Sequence, residues 1–228
     1  MIHAGWSRVL EMSLNQSSPA ARDLEESLSE FHLLAEQLGS ADSLLSLGSV
    51  AASLAVEPVR DLPSLDRFLA SYRTEVLGKI ELPGIQAAYL HASRGEAREL
   101  IALDQKMSKE ISLGVFVAAS QRVGRHQLKR LRPLRDVRLV QRYLAAVQSG
   151  QAEAWHTLVY GVILATYSFP LRQGMINYAE RTLESFAHSA ARQNNFSETD
   201  IRRILEGHLA NLPQMTTTLL AGPGLIGC

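Results

Sequence analysis

Hydrophobic and polar positions along residues 154–192 set the frame for the rest of the chain. Ala154 to Ser168 carries no polar stripe, which predicts a helix buried on most sides. That run closes at Tyr167-Ser168-Phe169-Pro170, and an amphipathic stretch follows at once. There Met175, Ala179, Leu183, Phe186 and Ala190 recur at helical spacing, while Glu180, Glu184, His188 and Arg192 fall on a different stripe. This is the period of a helix with one buried side. A near-apolar helix turned tightly onto an amphipathic one predicts the heart of a helical bundle.

The remaining chain reads as layers around that pair. Residues 1–20 are mixed and end in Asn15-Gln16-Ser17-Ser18-Pro19, which predicts a flexible leader. Leu24, Leu28, Phe31, Leu34 and Leu38 mark a first helix stopped at Gly39. The stretch 41–57 is small, apolar and uncharged inside, bounded by Asp42 and Glu57. Ser64 suits the N-cap of a helix carrying Leu65, Phe68, Leu69, Tyr72 and Val76. A separate helix is expected from Leu82 to His91, with Pro83 in its first turn. From Glu96 the pattern is helical to Leu131, with a bend near Gly114, and Pro133 ends it. Val137, Val140, Tyr143, Leu144 and Val147 form the next stripe, closed by Ser149-Gly150. Asn194-Asn195 makes a turn, and Ser197 with Asp200 three residues on caps a helix running through Ile201, Ile204, Leu205 and Leu209. Pro213, Thr216-Thr217-Thr218 and Gly222-Pro223-Gly224 predict an irregular tail over 213–228. No alternating β pattern survives beyond a few residues. The expected fold is all-α, a single-domain bundle of eight to ten helices over residues 21–212.

Composition narrows the function classes. Hydrophobic residues are 46% and charged residues 20%, which leaves room for a sizeable core. The net charge of zero removes any whole-molecule attraction to nucleic acid or an anionic membrane. Cys228, the one cysteine, precludes an internal disulfide and suits a reducing, cytoplasmic setting. No basic start precedes an apolar segment, so no secretion signal is expected. The longest apolar run is interrupted by His156 and stopped at Pro170, too short to span a bilayer.

The sequence carries none of the common reaction-bearing motifs. The phosphate-binding Gly-x-x-x-x-Gly-Lys-Ser/Thr loop is absent, as are the dinucleotide glycine fingerprint, Gly-x-Ser-x-Gly and His-Glu-x-x-His. Paired aspartates suited to magnesium-pyrophosphate do not occur. Glu184 and His188 stand at i and i+4, where a shared metal competes with the plainer reading of a solvated stripe. His91 and His156 read as packed or exposed residues. One local imbalance stands out: Arg122, Arg125, Lys129, Arg130, Arg132, Arg135, Arg138 and Arg142 face the single acid Asp136. Residues 1–50 lean the other way, with Glu11, Asp23, Glu25, Glu26, Glu30, Glu36 and Asp42 against Arg8 and Arg22. A basic helix end can grip phosphates, but aromatics do not interleave here. Nucleic acid, an acidic protein partner and a solvated or internally paired face all remain open.

Several stretches together resemble the urease accessory proteins of the F type (UreF). The family's N-terminal signature runs Asp-Ser-x-x-Pro-x-Gly-Gly/Ser-Phe-Ser/Ala-His/Tyr-Ser-x-Gly-Leu-Glu. Residues 42–57, DSLLSLGSVAASLAVE, match it at Asp42, Ser43, Gly48, Ser49, Ser53 and Glu57. Ser46 replaces its proline, Val50 its aromatic, Ala52 its His/Tyr and Ala55 its glycine. Residues 79–89 resemble the family's Asp-Leu-Pro helix, with Glu81 for the acid. Ser120, Gly124 and Leu128 follow its Ser-x-x-x-Gly-x-x-x-Leu helix, and His156 and Gly161 its His-x-x-x-x-Gly helix. Tyr178, Arg192, Thr199 and Asp200 fall where the family has its long helix and following turn. The family's usual ending, Arg-His-Glu-x-x-Tyr-Ser-Arg-Leu-Phe, has no counterpart before Cys228.

The resemblance implies a helical, typically dimeric protein that is not an enzyme and holds no cofactor. It implies partnership with a D/H-type accessory protein and a G-type GTPase, the assembly helping to insert nickel into apo-urease. The partner-binding candidates are Gly48, Ser49, Ser53, Glu57, Arg122, Arg125, Arg130 and Tyr178. For Gly48, Ser49 and Ser53, tight packing of small residues is an equal alternative. Gly124 and Gly161 are expected at packing positions.

Overall fold

The computed structural model describes residues 47–109, 114 and 116–222. Among these the fold is all-α, with no strand, and forms one helical domain around one core. The expected first helix, the flexible leader and most of the acidic N-terminal residues lie outside the described residues.

A short helix, α1 (Leu47–Ser53), comes first. Then α2 (Leu62–Tyr72) begins at an N-cap that is Asp61, not Ser64. The Ser64 N–H donates to Asp61 Oδ1 at 2.8 Å, and Ser64 Oγ accepts from the Asp61 N–H at 3.0 Å. This is a capping box in which Ser64 is the third helical residue. Pro63 causes the shift, because it fits only the first turn, ahead of the first intrahelical N–H donors.

The two helices expected over 64–76 and 82–91 are one continuous ribbon. A π-helical stretch, π1 (Arg73–Glu81), joins α2 to α3 (Leu82–Ser93). Its signature bond runs from the Leu82 N–H to the Leu77 carbonyl, five residues back. The wider turn places Tyr72, Leu77 and Leu82, and likewise Val76 and Glu81, on the buried side at five-residue spacing. A helical period of 3.6 breaks at Gly78-Lys79, which is why the sequence pattern read as two helices.

Helix α4 (Ala97–Met107) and helix α5 (Val117–Arg130) replace the single bent helix expected from Glu96 to Leu131. Ser108 closes α4 by donating its hydroxyl to the Asp104 carbonyl at 2.9 Å. Helix α6 (Arg138–Gln148) ends, as expected, at Ser149-Gly150, where Gly150 adopts φ +75°.

The central pair is α7 (His156–Thr166) and α8 (Leu171–Asn194). Every residue from Ala154 to Leu164 is buried, and Met175, Ala179, Leu183, Phe186 and Ala190 form the buried stripe of α8. Helix α7 packs most extensively on α3, then on α5, and also on α8. The α3–α7 crossing is close because Gly161 lacks a side chain. A Cβ there would stand 2.5 Å from the Ile85 carbonyl oxygen. Beneath α8, the Phe186 ring meets Tyr72 at 4.7 Å and Phe68 at 5.3 Å, both edge to face.

The Ser197–Asp200 cap holds as expected, with the Asp200 N–H donating to Ser197 Oγ at 3.1 Å, and opens α9 (Glu198–Leu209). The irregular tail expected from 213 is instead a helix at its start, α10 (Leu212–Ala221). Pro213 sits in its first turn, Leu212 and Thr216 are buried, and α10 packs on α8 and α3. The threonine run fits because Thr217 and Thr218 donate their hydroxyls to the carbonyls of Pro213 and Gln214 at 2.8 and 3.0 Å. Tertiary burial thus overrides a composition that looked like loop.

Candidate interaction surface and the networks beneath it

Helix α5 alternates two faces with little overlap. Ala119, Ser120, Val123, Gly124, Gln127 and Leu128 are buried, while Arg122, Arg125, His126, Lys129 and Arg130 are exposed. The exposed positions follow i, i+3, i+4, i+7, i+8, so they lie on one stripe. Arg132, Arg135, Arg138 and Arg142 continue as exposed residues through the next turn into α6. At one edge Arg125 Nη2 lies 2.6 Å from Glu153 Oε2, in a pair open to solvent on both sides.

What fixes this helix is the turn that leads into α7. Gly124 lies against Ala154 so closely that a Cβ would stand 1.8 Å from its carbonyl oxygen. Ser120 Oγ accepts from the His156 N–H at 3.1 Å and meets His156 Nδ1 at 2.8 Å. His156 Nε2 in turn meets the Tyr178 hydroxyl at 2.7 Å. One imidazole therefore ties α5, α7 and α8 together. Burial pushes its pKa down to about 4, so at neutral pH it is an uncharged linker. Serine, histidine and tyrosine in line would suit nucleophilic chemistry at a surface. Here all three are buried, and the chain of bonds is structural.

From the other side the same turn is held by Asp104 of α4. Its carboxylate accepts from the Tyr143 hydroxyl at 2.5 Å and from the backbone N–H groups of Glu153, Ala154 and Trp155 at 2.6, 3.0 and 3.4 Å. It thereby serves, across tertiary distance, donors that the start of α7 would otherwise leave unmade. A carboxylate at a helix N-terminus is also favoured by the helix dipole. Burial raises the Asp104 pKa against the opposing effect of these donors, and burial beside Asp104 raises that of Tyr143. Ala154 adopts φ +60°, a left-handed conformation that costs a non-glycine residue roughly 1–2 kcal/mol. The turn is thus one that its surroundings must enforce.

The remaining candidates are dispersed. Gly48, Ser49 and Ser53 are exposed on α1, which packs on α8, whereas α5 packs on α6 and α7. No described atom lies within 4 Å of a Cβ built on Gly48, so close packing against the described residues does not explain this glycine. Glu57 is exposed and paired with Arg67. Tyr178 must be corrected as a surface contact: it is buried, with its hydroxyl on His156. Its place on the α8 stripe next to Ala179 is an interior one. Gly124 and Gly161 occupy the packing positions expected of them.

Among the described residues no group of three or more His, Cys, Asp and Glu could hold a metal ion, and no helix is long and apolar enough to cross a membrane. Glu184 pairs with Arg181 at 3.5 Å, and His91 Nδ1 lies 2.8 Å from Glu96 Oε2. Sequence reasoning missed Asp104, although a signal existed. It falls on the apolar stripe of α4 with Ala97, Leu100 and Met107, where a carboxylate requires buried partners. His208 was missed for the same reason: it is buried on α9 with Nε2 at 2.9 Å from Asp66 Oδ1.

Comparison with known proteins places these features. No curated protein matches the chain. The UreF family profile matches residues 59–208, from the loop before α2 to the end of α9. This span includes Ser120, Gly124, His156, Gly161 and Tyr178, the residues that build the turn and its supports, but not the signature at 42–57. The match extends over more than half of the sequence, and the chain belongs to the UreF family of urease accessory proteins.

Proposed function

We propose that this protein is a non-catalytic adaptor in urease maturation. In this reading it joins a D/H-type accessory protein and a G-type GTPase on apo-urease, in the cytoplasm, and acts as a homodimer. Nickel is the cargo of the assembly rather than a resident cofactor of this chain. The observation that carries the reading is the family match over residues 59–208, which coincides with nearly the whole described helical domain.

The physics of the surface supports an adaptor role. The perturbed groups Asp104, Tyr143, His156 and Tyr160 are buried and serve the fold. The exposed charge is concentrated on rigid helices, where it can steer and orient a partner. Affinity in such a complex comes from a few anchors and complementary charge rather than from one reactive group.

The test is genetic and biochemical together. Expressed in a urease-positive strain lacking its own F-type protein, the chain should restore nickel-loaded, active urease. It should also co-purify with the D/H-type protein, and with the GTPase when both are present. Urease that stays nickel-free in the presence of well-expressed protein would refute the reading.

A further inference from the structure

A groove of about 510 Å³ runs between π1 and α10. Arg73, Thr74 and Lys79 stand on the π1 side, and Gln214, Met215 and Leu219 on the α10 side. Its size falls within the ordinary range of small-molecule sites, roughly 300–1,000 Å³. The π1 wall is unusual in its backbone, because π-helical turns are rare and frequently mark functional sites. The stretch that breaks the helical period, Arg73 to Glu81, is the one that borders the groove.

One group sets the charge of the groove. Lys79 is already matched: its Nζ lies 2.6 Å from Glu75 Oε2, with both side chains open to solvent. Arg73 is half-buried and, among the described residues, meets no carboxylate. Its Nη1 donates to the His208 carbonyl at 3.4 Å, a long bond that leaves most of its five N–H donors without an acceptor among the described residues. No Asp or Glu is among the described residues that line the groove. A partly desolvated guanidinium short of acceptors favours an anion with two oxygens in one plane. A single unmatched cation suits a carboxylate better than a phosphate ester, which brings a charge of roughly −1.5 to −2 near neutral pH. Met215 and Leu219, both half-buried, add apolar surface on the facing wall.

We infer that the groove between π1 and α10 binds a small carboxylic acid with an apolar body, its carboxylate on Arg73 and its body over Met215 and Leu219. This site goes beyond the accessory role and does not depend on it. Recognition divides between the fork, which selects charge and shape, and the apolar wall, which selects a hydrocarbon chain over a bare anion.

The probes are sodium hexanoate, sodium acetate, hexanamide and inorganic phosphate, each titrated into the isotope-labelled full chain and followed by NMR shifts. Hexanoate should move the Arg73 side chain and the amides of Gly78 and Leu219 in a saturable way. Acetate lacks the apolar body and hexanamide lacks the charge, so each should bind about tenfold more weakly or worse, and phosphate should also bind more weakly than hexanoate. Arg73→Gln should weaken hexanoate binding by about tenfold or more, and Arg73→Lys should recover part of it.

Loss of Arg73 also removes its bond to α9, so a second variant leaves that bond alone. Thr218 is exposed and lines the groove, and Thr218→Glu places a competing carboxylate there, which should weaken hexanoate in the same direction. Arg202→Gln, exposed on α9 and outside the groove, changes the net charge equally and should leave binding unchanged. Helix content and melting temperature are the folding controls. Shifts that are absent, unsaturable or scattered over the exposed arginines overturn the inference. So does hexanamide or phosphate binding as tightly as hexanoate, or a folded Thr218→Glu protein that binds hexanoate like wild type.

Discussion

Replacing Gly124 with alanine tests the way α5 is held. A Cβ at this position would meet the Ala154 carbonyl oxygen at 1.8 Å, the Ala154 carbonyl carbon at 2.9 Å and the His156 nitrogen at 2.9 Å. These are backbone atoms and cannot rotate away. An ordinary carbon–oxygen contact is about 3.3 Å, so α5 must retreat by about 1.5 Å. That retreat stretches both bonds from Ser120 to His156, at 3.1 and 2.8 Å, past useful length. Overpacking costs about 1–3 kcal/mol, and each buried polar group left unmade about 1–3 kcal/mol. Against this, alanine in a helix gains up to about 1 kcal/mol over glycine. The net expectation is a loss of about 2–4 kcal/mol, read as a fall in the urea midpoint of about 1–2 M. Gly207→Ala on α9 is the matched control. No described atom lies within 4 Å of its Cβ, so the same substitution should be neutral or slightly stabilising. If Gly124→Ala unfolds within about 0.5 kcal/mol of wild type, the clamp is not what holds α5, and the reasoning fails.

Two further perturbations probe the same turn. Asp104→Ala strips the acceptor from the Tyr143 hydroxyl and three backbone N–H groups, and should cost about 3–5 kcal/mol by urea denaturation; a loss under about 1 kcal/mol would show that water replaces the carboxylate freely. His156, held near 4 in the fold against 6.5 when unfolded, should make stability fall with acidification. Its contribution is complete above pH 6.5 and is lost as pH drops through 6.5 toward 4, by at most about 3 kcal/mol, because the unfolded state takes up the proton first. Subtracting the stability–pH curve of folded His156→Asn isolates this slope, and parallel curves for the two proteins would refute it.

Much of the architecture was legible because long periodic segments leave little choice. The α7–α8 pair, the α6 stripe and the Ser197 cap each followed from spacing alone, since each is set by local pattern and a single buried side. What escaped has a different physical origin. The π-helical stretch buries residues at five-residue spacing, so Tyr72, Leu77 and Leu82 share a face that a period of 3.6 assigns to two separate helices. Helix α10 carries a threonine run whose hydroxyls bond back to the helix carbonyls, an outcome that composition cannot distinguish from loop. Tyr178 stood as a partner-binding candidate through the family resemblance, and nothing in the sequence signalled that its hydroxyl meets the His156 imidazole inside the fold. The basic face was visible as a count of charges, yet its restriction to one stripe of α5 needed the burial of Ser120, Gly124 and Gln127 on the opposite side.

The turn at Glu153–His156 links the fold to the surface. It takes a left-handed residue at Ala154, which is unfavourable on its own and persists because three helices grip it. Asp104 and Tyr143 hold it from α4 and α6, and Ser120 and Gly124 lock α5 to its other side. Arg125 of the exposed row reaches Glu153 on that turn. The placement of the cationic row therefore depends on buried groups that never touch solvent. Loosening the turn from the Asp104 side should lower the order of α5 without changing a single surface charge. An exposed face built this way is sensitive to its core, because the uncharged imidazole and the buried carboxylate beneath it hold the helix that carries it.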